Sequence, residues 1–162
     1  MPDMLVKLYE LPDASPLLEQ LKHDGIVIRR AMAYDQRQLA RWVLEHFNGF
    51  WARGCSEPFS KKPISCYIDI EQGKLLGFAC YDATYRNFFG PTGVLESARG
   101  RGVGKALLLS CMHAMAAVGY GYAIIGGVGP ADFYAKTVGA AEIPGSTPGI
   151  YRDLLEKDNS HS

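Results

Sequence analysis

Several signals are missing from this sequence, and each absence closes off a class of function. There is no excess of one charge: Lys plus Arg and Asp plus Glu both count 17, for a formal net charge of +0. Nothing global therefore draws the chain to nucleic acid or to an anionic membrane, and any anion site must be built locally. No apolar run approaches the roughly 18 residues of a membrane span. The opening MPDMLVKLYELPD carries early acids and no apolar stretch, unlike a secretory leader. No two of the four cysteines, Cys55, Cys66, Cys80 and Cys111, stand at C-x-x-C spacing, and His23, His46, His113 and His161 are scattered. No metal site is therefore expected, and the cysteines read as small core residues rather than covalent nucleophiles. There is no internal repeat and no low-complexity linker. The reading is a cytoplasmic protein of one domain, with no nucleic-acid or membrane partner.

Glycine is abundant, and in one place it is concentrated. The stretch ESARGRGVGKALLLS packs Gly100, Gly102 and Gly104 among Arg99, Arg101 and Lys105, just ahead of an apolar helical pattern. Glycine in regular structure costs about 1 kcal/mol relative to Ala, so three so close together need a reason. A glycine turn feeding a helix start leaves backbone N–H groups free to converge on an anion, with the helix dipole behind them. A phosphate there would offset the cost. A Walker A loop, the mark of a nucleotide-binding P-loop protein, is disfavoured by Ala106, which stands where a magnesium-binding hydroxyl is required, and by Arg99 in place of the first glycine. The dinucleotide fingerprint G-x-G-x-x-G fails on spacing. Arg-x-x-Gly-x-Gly fits, as Arg99, Gly102 and Gly104. A plain tight turn bearing surface cations is the alternative.

The pattern around the loop predicts an α/β fold with a mixed, mostly antiparallel sheet, one parallel strand pair and helices on both faces. A weak strand over 4–9 precedes a helix with Ser15 as N-cap and Pro16 as first helical residue, ended by Gly25. Strands follow at 26–31, 64–70 and 75–82, the last two as a hairpin through EQGK, and at 86–95, bent near Gly90, Pro91 and Gly93. An amphipathic helix spans 35–47, and 48–63 reads as irregular. The helix after the loop runs from about Gly104 to Val118, with Leu107, Leu108, Cys111, Met112, Met115 and Val118 as its apolar stripe. A buried strand at 121–128, a short helix from Pro130 to Val138 and two short strands within 141–154 complete the chain. Strand, helix and strand on either side of the loop make a right-handed crossover with its strands parallel.

GVLESARGRGVGKALL, together with GPADFYAKTVGA at 129–140, resembles the GNAT superfamily of acetyl-CoA-dependent N-acetyltransferases over about residues 26–152. The resemblance sets residues 1–25 apart as a strand–helix extension, 26–155 as the acetyltransferase domain and 156–162 as a polar tail. It implies acetyl-CoA as co-substrate. The pyrophosphate would be held by Arg99, Gly100, Arg101, Gly102, Val103, Gly104 and Lys105. The pantetheine arm would pair with the backbone of Val94 and Leu95, and the acyl end would lie at Gly127 between splayed parallel strands. It implies Tyr134 as the acid that protonates the departing thiolate, a role a phenol can fill; a packing tyrosine is the alternative. The acceptor implied is a primary amine of a small molecule, and a homodimer is a common assembly in such proteins. A non-catalytic acyl-CoA sensor is the other reading.

The sequence departs from the superfamily pattern in two places. NFFGPTGVL carries no carboxylate to serve as base, which leaves Glu96, Asp82, Glu57, His46 and Tyr81 as candidates. Gly126-Gly127 stand where an asparagine is frequent, leaving only backbone to orient the thioester. Phe47, Phe50, Trp51, Phe59, Tyr85, Phe88 and Phe89 could wall an acceptor pocket or simply pack, and Arg53, Lys61 and Lys62 could pair a substrate carboxylate. Lys136 reads as a solvated helix cation.

Overall fold

The computed structural model describes residues 1–156. The polar tail at 156–162, with His161, therefore lies outside the described residues apart from Glu156. A single seven-stranded sheet organises the chain: β1 (Met4–Lys7), β2 (Ile26–Arg30), β3 (Cys66–Glu71), β4 (Lys74–Tyr81), β5 (Phe88–Val94), β6 (Tyr122–Ile125) and β7 (Ala141–Glu142). Their order across the sheet is β2-β3-β4-β5-β6-β1-β7. Every neighbouring pair is antiparallel except β5 and β6, which are parallel, as the crossover requires. The segment 1–25 enters this sheet: β1 lies between β6 and β7, with Met4 opposite both Ile125 and Glu142.

Helices α1 (Ser15–His23), α2 (Gln36–His46), α3 (Gly49–Gly54), α4 (Val103–Ala117) and α5 (Ala131–Val138) cover the sheet. On one face α4 packs Leu107, Leu108, Cys111, Met112 and Met115 against Val6, Ala79, Ala123 and Ile125, and α5 joins through Tyr134 and Val138. On the other face Leu39 and Val43 of α2 meet Cys66, Ile68, Phe78 and Cys80. Each such fully buried side chain contributes roughly 1.5–3 kcal/mol by leaving water. All four cysteines are buried and free. Among the described residues no helix is long and apolar enough to cross a membrane.

Four details differ from the sequence expectation. Ser15 is already helical and makes no cap; the Asp13 carboxylate instead accepts from its N–H at 3.0 Å. Val118 falls just beyond α4 and is 52% exposed, so the apolar stripe stops at Met115. Within 48–63 the chain forms α3, because the Asn48 side chain accepts from the Trp51 N–H at 2.8 Å and caps it. Of the two strands expected in 141–154 only β7 forms; Pro148 and the left-handed Gly149 (φ +60°) turn the rest into a 3-10 turn at Gly149–Tyr151.

Candidate functional site

β5 and β6 pair only at Phe88–Ile124 and Phe89–Ile125, and then part. The gap opens a cavity of about 1530 Å³. Ordinary small-molecule pockets measure about 300–1,000 Å³, so this one has room for two reactants. β5 forms its floor. At the Pro91 end of that floor stands α3, where a Cβ on Gly54 would meet Pro91 at 3.8 Å. At the Val94 end stands the start of α4, where a Cβ on Gly104 would meet Val94 at 3.6 Å.

The glycine loop forms the Val94 end. Gly100 (φ +82°) and Gly102 (φ +86°) both adopt left-handed backbone, which side chains other than glycine resist. The α4 ladder begins with Ala106 donating to the Gly102 carbonyl at 3.0 Å, so the amides of Val103, Gly104 and Lys105 precede it. Those three are the donors a helix start leaves free. Arg99 and Lys105 line the cavity, and no carboxylate among the described residues lies within 4.0 Å of either. Arg101 turns away: its guanidinium grips Glu71 of β3 in two bonds, at 2.6 and 3.2 Å. Two of the three loop cations therefore face the cavity.

The backbone of β5 is also ready for a partner. The Leu95 N–H is committed to the Leu76 carbonyl at 2.8 Å. Val94, one residue back and opposite Gly77, then falls in a non-hydrogen-bonded pair and turns its N–H and C=O toward the gap. Gly127 lines the cavity too, but its N–H donates to the buried Asp3 carboxylate at 2.9 Å. Beside it, a Cβ on Gly126 would collide with the Tyr151 hydroxyl, so a phenol from the 3-10 turn occupies the place of the absent side chain. Gly93 is the counterpart on β5: Phe47 ring carbons stand 2.5–2.9 Å from where its Cβ would be.

Tyr134 sits in α5, 7% exposed, and borders the cavity with its ring edge-on to Phe89 at 6.3 Å. Burial raises its phenol pKa, so it keeps its proton at neutral pH. Tyr151 is pushed the same way, first by burial and then by the charge of Asp3. Neither phenol is a base under those conditions; both can be acids.

Among the described residues no Asp, Glu or His borders the cavity. The candidate bases are spent or stand elsewhere. Asp82 accepts from the Asn87 N–H (2.7 Å) and the Tyr120 hydroxyl (3.1 Å). Glu57 pairs with Lys61 at 3.5 Å, and the Tyr81 hydroxyl accepts from Arg30 at 2.7 Å. His46 lies against Trp42, and Glu96 is exposed beside the loop. Among the aromatics, Phe47, Phe50, Trp51 and Phe89 line the cavity, whereas Phe59, Tyr85 and Phe88 do not. Among the proposed carboxylate partners Arg53 lines it, and Lys61 and Lys62 do not.

Sequence reasoning missed Asp3, Tyr151 and Asp69. The Gly126-Gly127 pair was the available signal for the first two, since a strand end without side chains invites them from elsewhere. Asp69 lies under α4, fully buried, with neither oxygen hydrogen-bonded. It fits only because its neighbour is Gly77, whose Cβ would stand 2.9 Å from Asp69 Oδ2. Burial pushes its carboxyl up to about 8.

Residues 35–139 match the model of the acetyltransferase (GNAT) family. Solved structures share the architecture. A glucosamine N-acetyltransferase region of a fungal multi-domain beta-N-acetylglucosaminidase superposes with a TM-score of 0.71 at 13% identity, over 88% of this chain and 19% of that one. A GCN5-related N-acetyltransferase from Sphaerobacter thermophilus gives 0.66 at 20% identity, over 88% and 48%. Another from Kribbella flavida gives 0.60 at 17% identity, over 87% and 53%. The chain thus spans between about a fifth and about half the length of these proteins. Among curated proteins no match is found.

Proposed function

The chain belongs to the acetyltransferase (GNAT) family, matched over residues 35–139, and from that premise we propose that it moves acetyl from acetyl-CoA to the amine of a small molecule. One observation carries this reading. The parted β5–β6 pair places a loop of free amides at one end of the gap and a buried, proton-holding phenol at its border.

The residues present fit the co-substrate. The amides of Val103, Gly104 and Lys105, with Arg99 and Lys105 side chains, would hold the pyrophosphate. The Val94 N–H and C=O would pair with the pantetheine amides as one more strand edge. Acetyl-CoA supplies an acyl carbon activated as a thioester. Tyr134 then holds a proton for the sulfur that leaves when the amine nitrogen bonds that carbon, and takes a proton back from solvent. The Tyr151 hydroxyl, at the head of β6, can donate to the acyl oxygen as it gains charge. With all four cysteines buried and none bordering the cavity, direct transfer needs no acyl-cysteine step.

That no carboxylate or imidazole among the described residues borders the cavity favours a second reading, a non-catalytic acyl-CoA sensor. One experiment separates them. Thermal shift against acetyl-CoA, CoA and ATP should show saturable stabilisation by the two CoA species alone. Tyr134→Phe should keep that stabilisation and lose thiol release. A wild-type protein that binds CoA and releases no thiol with any amine favours the sensor; stabilisation by ATP alone sinks both.

A further inference from the structure

The charges around the cavity do not suit a cationic acceptor. Among the described residues Arg53, Arg99 and Lys105 border it and no acid does. Arg99 and Lys105 stand at the Val94 end, where phosphates would occupy them. Arg53 stands at the opposite end, on α3 beside Gly54, which faces Pro91. No carboxylate among the described residues lies within 4.0 Å of it. A cation left over at the acceptor end calls for an anion on the acceptor. Phe47, Phe50, Trp51 and Tyr151 also line the cavity, with Phe47 and Trp51 stacked at 5.3 Å.

The missing base constrains the nitrogen itself. An alkylammonium must lose a proton before it can attack, and among the described residues no carboxylate or imidazole borders the cavity to receive one while both bordering phenols stay protonated. A nitrogen already uncharged near neutral pH removes that requirement. We propose that the acceptor is an aromatic amine bearing a carboxylate, an aminobenzoate-like compound, with its ring between the aromatic walls and its carboxylate on Arg53. The neutral nitrogen bonds the acyl carbon, the carbon–sulfur bond breaks, the sulfur takes the Tyr134 proton, and the surplus proton on nitrogen goes to solvent. This inference rests on the acetyl-transfer reading above.

The test measures thiol release near neutral pH with four acceptors: 4-aminobenzoate, aniline, phenylalanine and spermidine. The expected order places 4-aminobenzoate first. Arg53→Met should then cut the 4-aminobenzoate-to-aniline ratio of kcat/KM by about tenfold, the value of one charged hydrogen-bonded contact. Arg53→Gln serves as a second variant, and the CoA-induced thermal shift checks that each variant is folded. Preference for phenylalanine or spermidine, or a ratio that Arg53 variants leave unmoved, overturns the proposal. Stabilisation by CoA with none of the four acetylated overturns this acceptor class and leaves acetyl transfer standing. Absence of CoA stabilisation removes the acetyl-transfer reading itself, and this inference with it.

Discussion

Replacing Asp69 by Asn should change how stability depends on pH. The Asp69 carboxyl is wholly buried, touches no donor, and is pushed up to about 8 by desolvation alone. In the unfolded chain it ionises near 4. Between those values the unfolded state has lost a proton that the folded state keeps. A raised carboxyl favours folding fully below the unfolded value, and that benefit falls away as pH rises until it levels off above about 8. The slope for one proton is about 1.4 kcal/mol per pH unit, so wild type should lose about 2.7 kcal/mol between about pH 5 and pH 7 through this group. Asn has no proton to lose. Its own burial carries a fixed penalty of about 1–3 kcal/mol for unmet hydrogen bonds, but that penalty does not vary with pH. Urea unfolding of both proteins at the two pH values gives the answer, because every other titrating group cancels in the difference. The gap between wild type and variant should move by about 2.7 kcal/mol in favour of Asn at the higher pH. Parallel curves, with the gap constant to within about 0.5 kcal/mol, would show that Asp69 is hydrated or paired and refute the argument.

Three further outcomes follow from the geometry. Gly93→Ala should destabilise by about 1–3 kcal/mol in urea unfolding, because Phe47 occupies the space its methyl needs; an unchanged midpoint would contradict that packing. Gly126→Ala should displace the Tyr151 ring and lower kcat about as far as Tyr151→Phe does, with the two together no worse than one; additive losses would place Tyr151 elsewhere. Arg99→Ala should weaken CoA binding about tenfold by calorimetry, while Arg101→Ala, whose guanidinium is held by Glu71, should change it far less. Equal losses would mean that Arg101 leaves Glu71 when ligand binds.

The elements that hold their own signal were legible. The α4 stripe from Leu107 to Met115 repeats at helical spacing, and Gly100 and Gly102 announce a left-handed turn by being glycine. The alternation Ile64, Cys66, Ile68, Ile70 marks a buried face but is silent about the face behind it. Asp69 lies there, and only the placement of α4 decides that it is covered. α3 escaped because Gly49 and Gly54 argue against a helix while the Asn48 cap and packing against Phe78 argue for one. Asp3 and Tyr151 come from distant segments that meet only at the end of β6. No local pattern encodes such a meeting; the two strand-end glycines record the vacancy without saying what fills it.

The place of β1 in the sheet bears on how the chain is made. Its partners on both sides come late: Ile125 and Glu142 stand opposite Met4. A ribosome delivers residues 4–7 long before either partner exists, so the centre of that half of the sheet stays open until β6 and β7 have been made. The β3–β4 hairpin can close from neighbouring residues as it emerges, and β2, separated from β3 by α2 and α3, can pair with it once β3 is made. Nascent chains halted before residue 142 should therefore hold a folded β2–β4 half and an unpaired strand available to chaperones, and become protease-resistant throughout only once β7 has left the exit tunnel.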